Sequence, residues 1–93
     1  MATGTATIDF GAWPGSNEAS VVVSDASVAA LSLIEPFVMA SDTTADHTAE
    51  DHRYLPLFAS FTAGNVVAST SFTIYGRAPE KLQGTFKIRW AYV

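Results

Sequence analysis

The last ten residues constrain the fold more than any other stretch. From Gly84 to Val93 the chain reads Gly-Thr-Phe-Lys-Ile-Arg-Trp-Ala-Tyr-Val, with Phe86, Ile88, Trp90 and Tyr92 alternating with Thr85, Lys87, Arg89 and Ala91. That two-residue period puts four large apolar side chains on one face of a strand and two cations on the other. A helix would scatter the same aromatics around its circumference, whereas aromatic and β-branched residues suit a pleated, half-buried surface. The stretch therefore predicts a core strand, and the rest of the chain must supply sheet to cover it.

Upstream, short apolar runs alternate with turn chemistry. Thr5 to Asp9 predicts a first strand, followed by a tight turn at Trp13-Pro14-Gly15-Ser16-Asn17, where Pro presets φ and Gly tolerates a positive one. Trp13 is read there as a plug on the core or an exposed anchor for a partner, the plug being the commoner case. Ala19 to Ser24, with three consecutive valines, predicts a second strand. Ala29 to Met39 predicts a third, with Leu31, Leu33, Phe37 and Met39 in one row and Glu35 in the same register. Pro36 lacks an amide donor and favours an edge or a bulge.

Ser41 to Arg53 is the one long polar stretch and predicts a surface loop with a single helical turn, capped by Asp46 or Thr48. Tyr54 to Thr62 and Val66 to Tyr75 predict two more strands, separated by a turn at Ala63-Gly64-Asn65. Gly76 to Gln83 predicts the last loop. Six or seven strands joined by Gly, Pro, Asn and Asp turns predict an all-β chain, a small antiparallel β-sandwich of jelly-roll-like form spanning residues 1–93 as a single domain.

Composition sharpens this. Charged residues make up only 15% of the 93 residues and apolar ones 48%, whereas soluble domains average about 25% charged. A small globule has proportionally more surface to dress than a large one, so the chain is expected to bury part of its exterior against other copies or another protein. Its many Ser and Thr residues offer the alternative of a polar but uncharged surface. Residues 1–52 hold eight carboxylates and no Lys or Arg, and residues 53–93 hold five cations and one carboxylate. Such asymmetry predicts matching of acidic and basic segments, within one sheet or between subunits. Cysteine is absent, which excludes disulfides and thiolate zinc sites. No signal-peptide pattern and no apolar run long enough to span a bilayer is visible, so a soluble protein without a membrane partner is expected.

Little in the sequence points to catalysis. His47 and His52 lie in the polar stretch with Asp46, Glu50 and Asp51, at a spacing that matches no metal motif; a metal would need copies of this loop to meet on a symmetry axis. The expectation is a solvated acidic loop whose histidines meet nearby carboxylates, with no metal and no cofactor. No glycine-flanked serine elbow is present, and the chain is read as a non-enzyme. Nucleic acid is disfavoured, because the cations and aromatics of the closing strand point to opposite faces and the net charge is −4. A carbohydrate-binding module, using Trp13, Tyr54 and Tyr75 as stacking platforms, is an alternative from a different class.

Several stretches resemble a family of small structural (virion) proteins of tailed bacteriophages, and the likeness runs almost end to end. They are Thr7-Ile8-Asp9-Phe10-Gly11 with Pro14-Gly15 and Ala19-Ser20-Val21, then Ala45 to His52, then Ala63-Gly64-Asn65-Val66-Val67-Ala68 with Phe72-Thr73-Ile74-Tyr75, and finally Gly84 to Trp90. The chain departs from that pattern at Ser69 and Ser71, where glycines are common, and in a short Gly76 to Gln83 loop where relatives carry insertions. The resemblance implies a component of the virion, made in the host cytoplasm. The leading expectation is a capsid decoration or cement protein acting as a homo-oligomer on the major capsid protein, with a tail, fibre or spike component as the alternative. Candidate partner-interface residues are Trp13, Glu35, Phe58, Tyr75, Arg77, Lys87 and Arg89.

Overall fold

The closing alternation becomes the central strand of one of two facing sheets. The computed structural model describes residues 2–30 and 32–92. In chain order the strands are β1 (Ala2–Asp9), β2 (Ser16–Ser24), β3 (Ile34–Phe37), β4 (Ser60–Val67), β5 (Ser71–Leu82) and β6 (Thr85–Tyr92). Helix α1 (Ala49–Tyr54) and a 3-10 turn at Leu55–Leu57 lie between β3 and β4. The sheets are antiparallel with orders β1-β6-β3 and β2-β5-β4, and β1 lies against β2 and β3 against β4 where they meet. The fold is thus a sandwich of six strands rather than a jelly roll, which takes eight.

Phe86, Ile88, Trp90 and Tyr92 all point inward from β6 and are buried, with Ile8, Phe10, Phe72 and Ile74 completing the centre of the core. Phe72 meets Trp90 edge-on at 5.1 Å, and Trp90 stacks on Tyr92 at 5.8 Å, geometries that suit the ring quadrupoles. Gly4 sits opposite Trp90 in the β1–β6 register, where a β-carbon would overlap the indole. A glycine here lets backbone and ring approach closely.

Several expected boundaries are corrected. In the Ala29 to Met39 stretch only Ile34–Phe37 pairs, and its phase is opposite to the one read from the sequence: Ile34, Pro36 and Val38 turn inward, while Leu33, Glu35, Phe37 and Met39 face out. Leu31, placed in that row, lies outside the described residues. Pro36 does lie on an edge strand, as its missing donor requires. The expected Tyr54 to Thr62 strand begins only at Ser60, because Tyr54 closes α1 and Pro56 sits in the 3-10 turn. Ala63-Gly64-Asn65 is not a turn but an irregularity inside β4, where Asn65 takes a φ of 48° and the register shifts between Gly64 and Val67. The hairpin turns instead at 68–70, with Ser69 at a φ of 61°. Gly76 to Gln83 is not a loop: β5 runs on to Leu82, leaving Gln83 and Gly84 as the whole connection to β6.

Candidate functional site

The polar stretch after β3 is built into the fold rather than solvated beside it. β3 pairs with β6 only as far as Arg89, and beyond that point the same edge of β6 is closed by side chains. Thr44 Oγ1 donates to the Thr85 carbonyl at 2.7 Å, Asp46 Oδ2 accepts from Thr85 N–H at 3.0 Å and from Thr85 Oγ1 at 2.9 Å, and His52 Nε2 accepts from Lys87 N–H at 2.9 Å. An open sheet edge exposes unpaired donors and acceptors, and this segment satisfies them without a strand. Thr48 caps α1 in a reciprocal box with Asp51: Asp51 N–H donates to Thr48 Oγ1 and Thr48 N–H to Asp51 Oδ2.

The two histidines differ in kind. His52 is fully buried; its Nδ1 donates to the Thr48 carbonyl at 2.8 Å while Nε2 accepts from Lys87. Those partners require the neutral ring with its proton on Nδ1. His47 lies flat on Phe86 with centroids 3.9 Å apart, between the Asp51 carboxylate at 3.2 Å and the Gln83 carbonyl at 2.8 Å. Each ring nitrogen of His47 thus faces an acceptor, the Asp51 carboxylate on one side and the Gln83 carbonyl on the other. The expected contact of a histidine with a carboxylate is present at His47, and the expected solvated loop is overturned at His52. Among the described residues no three His, Cys, Asp or Glu side chains gather closely enough to hold a metal.

Hydrogen bonds also set the acidity of the segment. Arg89 holds Asp42 through Nη2 at 2.7 Å and Nε at 3.0 Å, and this keeps the buried Asp42 carboxyl below the ordinary aspartate range. The Thr85 hydroxyl and amide do the same for Asp46, and the Thr48 amide and then His47 for Asp51. Burial, with the carboxylate of Asp25 accepting its hydroxyl, pushes Tyr92 up.

The seven candidate interface residues do not form one patch. Tyr75 and Arg77 stand on the outer face of the β2-β5-β4 sheet, with Arg77 paired to Glu18 at 3.1 Å across β2 and β5. Glu35, Lys87 and Arg89 belong to the outer face of the other sheet, and Arg89 is engaged by Asp42. The acidic and basic halves of the sequence are thus joined within one chain at both ion pairs. Phe58 is exposed after the 3-10 turn beside Leu57, and Trp13, far from plugging the core, is 81% exposed on the turn between β1 and β2. Trp13 and Tyr75 line separate depressions, and Tyr54 lies apart from both at the end of α1. Leu33, Leu57 and Met39, also exposed, were missed as surface residues because their apolar character and spacing read as core.

Asp9, Gln83 and Gly84 carry no functional reading from the sequence, and Asp46 is read there only as a helix cap and a carboxylate of the polar loop. All four share with Trp13 an open depression of about 530 Å³. Its floor joins two glycine turns: Phe10 N–H donates to the Gly84 carbonyl at 2.9 Å and Gly84 N–H to the Gly11 carbonyl at 2.8 Å. Gly84 has a φ of +80°, and a side chain there would press on His47 and Asp46. The signal available in the sequence was the pair Phe10-Gly11 and Gln83-Gly84, each at the end of a strand.

Comparisons with protein-family models, with curated proteins and with solved structures each return no match. No helix among the described residues is long and apolar enough to cross a membrane.

Proposed function

We propose that this chain is a structural protein of a tailed-bacteriophage particle, a decoration or cement protein that binds the head as a homo-oligomer. The observation that carries the reading is the set of large apolar side chains left exposed around β3 and the connection from α1 to β4: Leu33, Phe37, Met39, Tyr54, Leu57 and Phe58. Leu33, Phe37 and Met39 face outward on and beside β3, with Glu35 between them, and Arg53 Nη1 donates to the Ala40 carbonyl at 3.3 Å. Leu33 is 78% exposed and Leu57 74%. Apolar surface exposed in this way, on a chain poor in charge, suits a contact with another protein. The motif likeness to phage virion proteins supports the identity of that partner as the particle.

A decoration protein binds only the assembled shell and therefore stabilises it by mass action. Purified protein added to undecorated mature heads is expected to co-sediment with them and raise their melting temperature. Absence of uptake overturns the decoration reading. Imaging of intact particles separates it from the tail, fibre or spike alternative, since density over the shell and density at the tail are distinct outcomes.

A further inference from the structure

We infer that the depression beside Trp13 is a saccharide subsite, formed by the Trp13 indole, the Asp9 and Asp46 carboxylates and the Gln83 side chain over the Gly11–Gly84 floor. The inference is independent of any attachment to a phage head.

Trp13 is the most exposed large apolar side chain among the described residues, yet its backbone is held in a turn. Gly15 N–H donates to the Ala12 carbonyl at 2.7 Å, and the β-carbon a side chain would add at Gly15 runs into the Leu82 carbonyl. The turn is therefore fastened to the end of β5, and the indole is presented rather than free to fold back. Beside the ring, each carboxylate keeps one oxygen with no protein partner among the described residues. Asp9 Oδ1 accepts from Gly11 N–H at 2.8 Å and Asp46 Oδ2 accepts from Thr85, which leaves Asp9 Oδ2 and Asp46 Oδ1 available. The bonded oxygens orient the spare ones, so this polar edge is pre-set.

The pairing of a bare aromatic face with spare carboxylate oxygens selects the ligand class. A pyranose has one face of C–H bonds, slightly positive, which suits the negative face of an indole, and a rim of hydroxyls that donate to carboxylates in charge-assisted hydrogen bonds. A purely apolar anchor from a protein would strip water from the carboxylates and return no donors, at a net cost. An anion is disfavoured by Asp9 and Asp46, since His47, which also lines the depression, already spends both ring nitrogens on the Asp51 carboxylate and the Gln83 carbonyl, and among the described residues no group of three ligands gathers for a metal ion. The volume, about 530 Å³, lies within the range of small-molecule sites. A second depression, bounded by Trp13, Pro14, Lys81 and Phe86, shares Trp13, His47 and Gln83 with the first, so short oligosaccharides are the probes of choice.

The test is a titration of the intact protein with short neutral oligosaccharides of glucose, galactose and N-acetylglucosamine, followed by amide and indole NMR signals. The expected result is a saturating shift of the Trp13 indole N–H and the Gly11 and Gly84 amides, with the buried Trp90 indole unmoved. Trp13→Ala is expected to weaken binding at least about tenfold and Gln83→Ala and Asp9→Asn a few-fold each, since Asn at position 9 retains the acceptor for Gly11. Thermal melts show whether each variant remains folded. No shift with any of the sugars at millimolar concentration overturns the proposal, as does binding that Trp13→Ala leaves undiminished.

Discussion

At the scale of single residues, partners decide what a side chain is. His47 and His52 are five positions apart in one acidic segment, yet one stacks on Phe86 between two acceptors and the other is buried and accepts from the Lys87 amide. Long-range nitrogen correlation spectra are expected to show a proton on Nδ1 alone for His52, the tautomer that its Thr48 and Lys87 partners require. The role of His52 also carries a stability consequence. His52→Ala removes the acceptor for Lys87 N–H and leaves a cavity, and a buried donor without a partner costs about 1–3 kcal/mol on its own. We expect a loss of about 3 kcal/mol in urea unfolding, with the Lys87 amide losing its protection from exchange. Gly4 offers a steric counterpart: Gly4→Ala forces the Trp90 indole from its stack on Tyr92 and is expected to cost about 1–3 kcal/mol, as overpacking does. Trp90→Leu in the same chain should recover part of that loss, whereas simple additivity of the two changes would show that the clash is relieved elsewhere.

At the scale of elements, residues 42–54 act as a strand made of side chains, and their carboxylates give that element a pH dependence. Asp42, Asp46 and Asp51 all hold their protons less tightly in the fold than the ordinary value of 3.8. As pH falls, the unfolded chain takes up protons before the folded one, so the stabilisation is complete above about 3.8 and disappears as pH drops through the lowered values. The Thr85 and Thr48 amides are expected to show this first, by faster hydrogen exchange in acid than the centre of β5. Uniform loss of protection across both sheets would refute a local effect. The same scale explains what the sequence made legible. β6 is plain because its alternation is unbroken and its inward residues are all large. The helical turn is legible but its cap only in part: local pattern offers Asp46 or Thr48, and Thr48 takes the position with Asp51 completing the box, while Asp46 is drawn away to Thr85. The phase of β3 is hidden, because Leu33, Phe37 and Met39 are more apolar by type than Pro36, which takes the core position opposite Trp90. The course of β4 and β5 is hidden as well: Gly64-Asn65 has the chemistry of a turn yet is spanned by pairing on both sides, and Pro79 is tolerated in the far part of β5. Nor does local pattern reveal the depression at Trp13, whose walls come from three separate segments: two meet through the pairing of β1 with β6, and the third is tied on by Asp46 to Thr85 and His47 to Gln83.

At the scale of the whole molecule, low charge and exposed apolar side chains belong to one physical problem. The core is complete without Leu33, Leu57 and Phe58, so these residues contribute little to the folding of one chain and leave apolar area in water, where covering it gains roughly 25 cal/mol per Å². A standard protein contact takes about 800 Å² from each partner, around one-seventh of the 5532 Å² surface of this chain, and the exposed side chains around β3 and after α1 are the part of that surface to be tested. Leu33→Ser and Leu57→Ser are therefore expected to leave the urea midpoint of the isolated chain almost unchanged, because exposed substitutions shift stability by no more than about 0.5 kcal/mol. Together they are expected to weaken self-association at least about tenfold in sedimentation equilibrium. The paired change Ser20→Ala and Thr62→Ala, on the outer face of the β2-β5-β4 sheet, serves as the control and should leave association intact. If the unaltered chain sediments as a monomer at every concentration reached, these side chains do not bind a second copy. If the control pair weakens association more than the leucine pair does, copies meet through the β2-β5-β4 face instead.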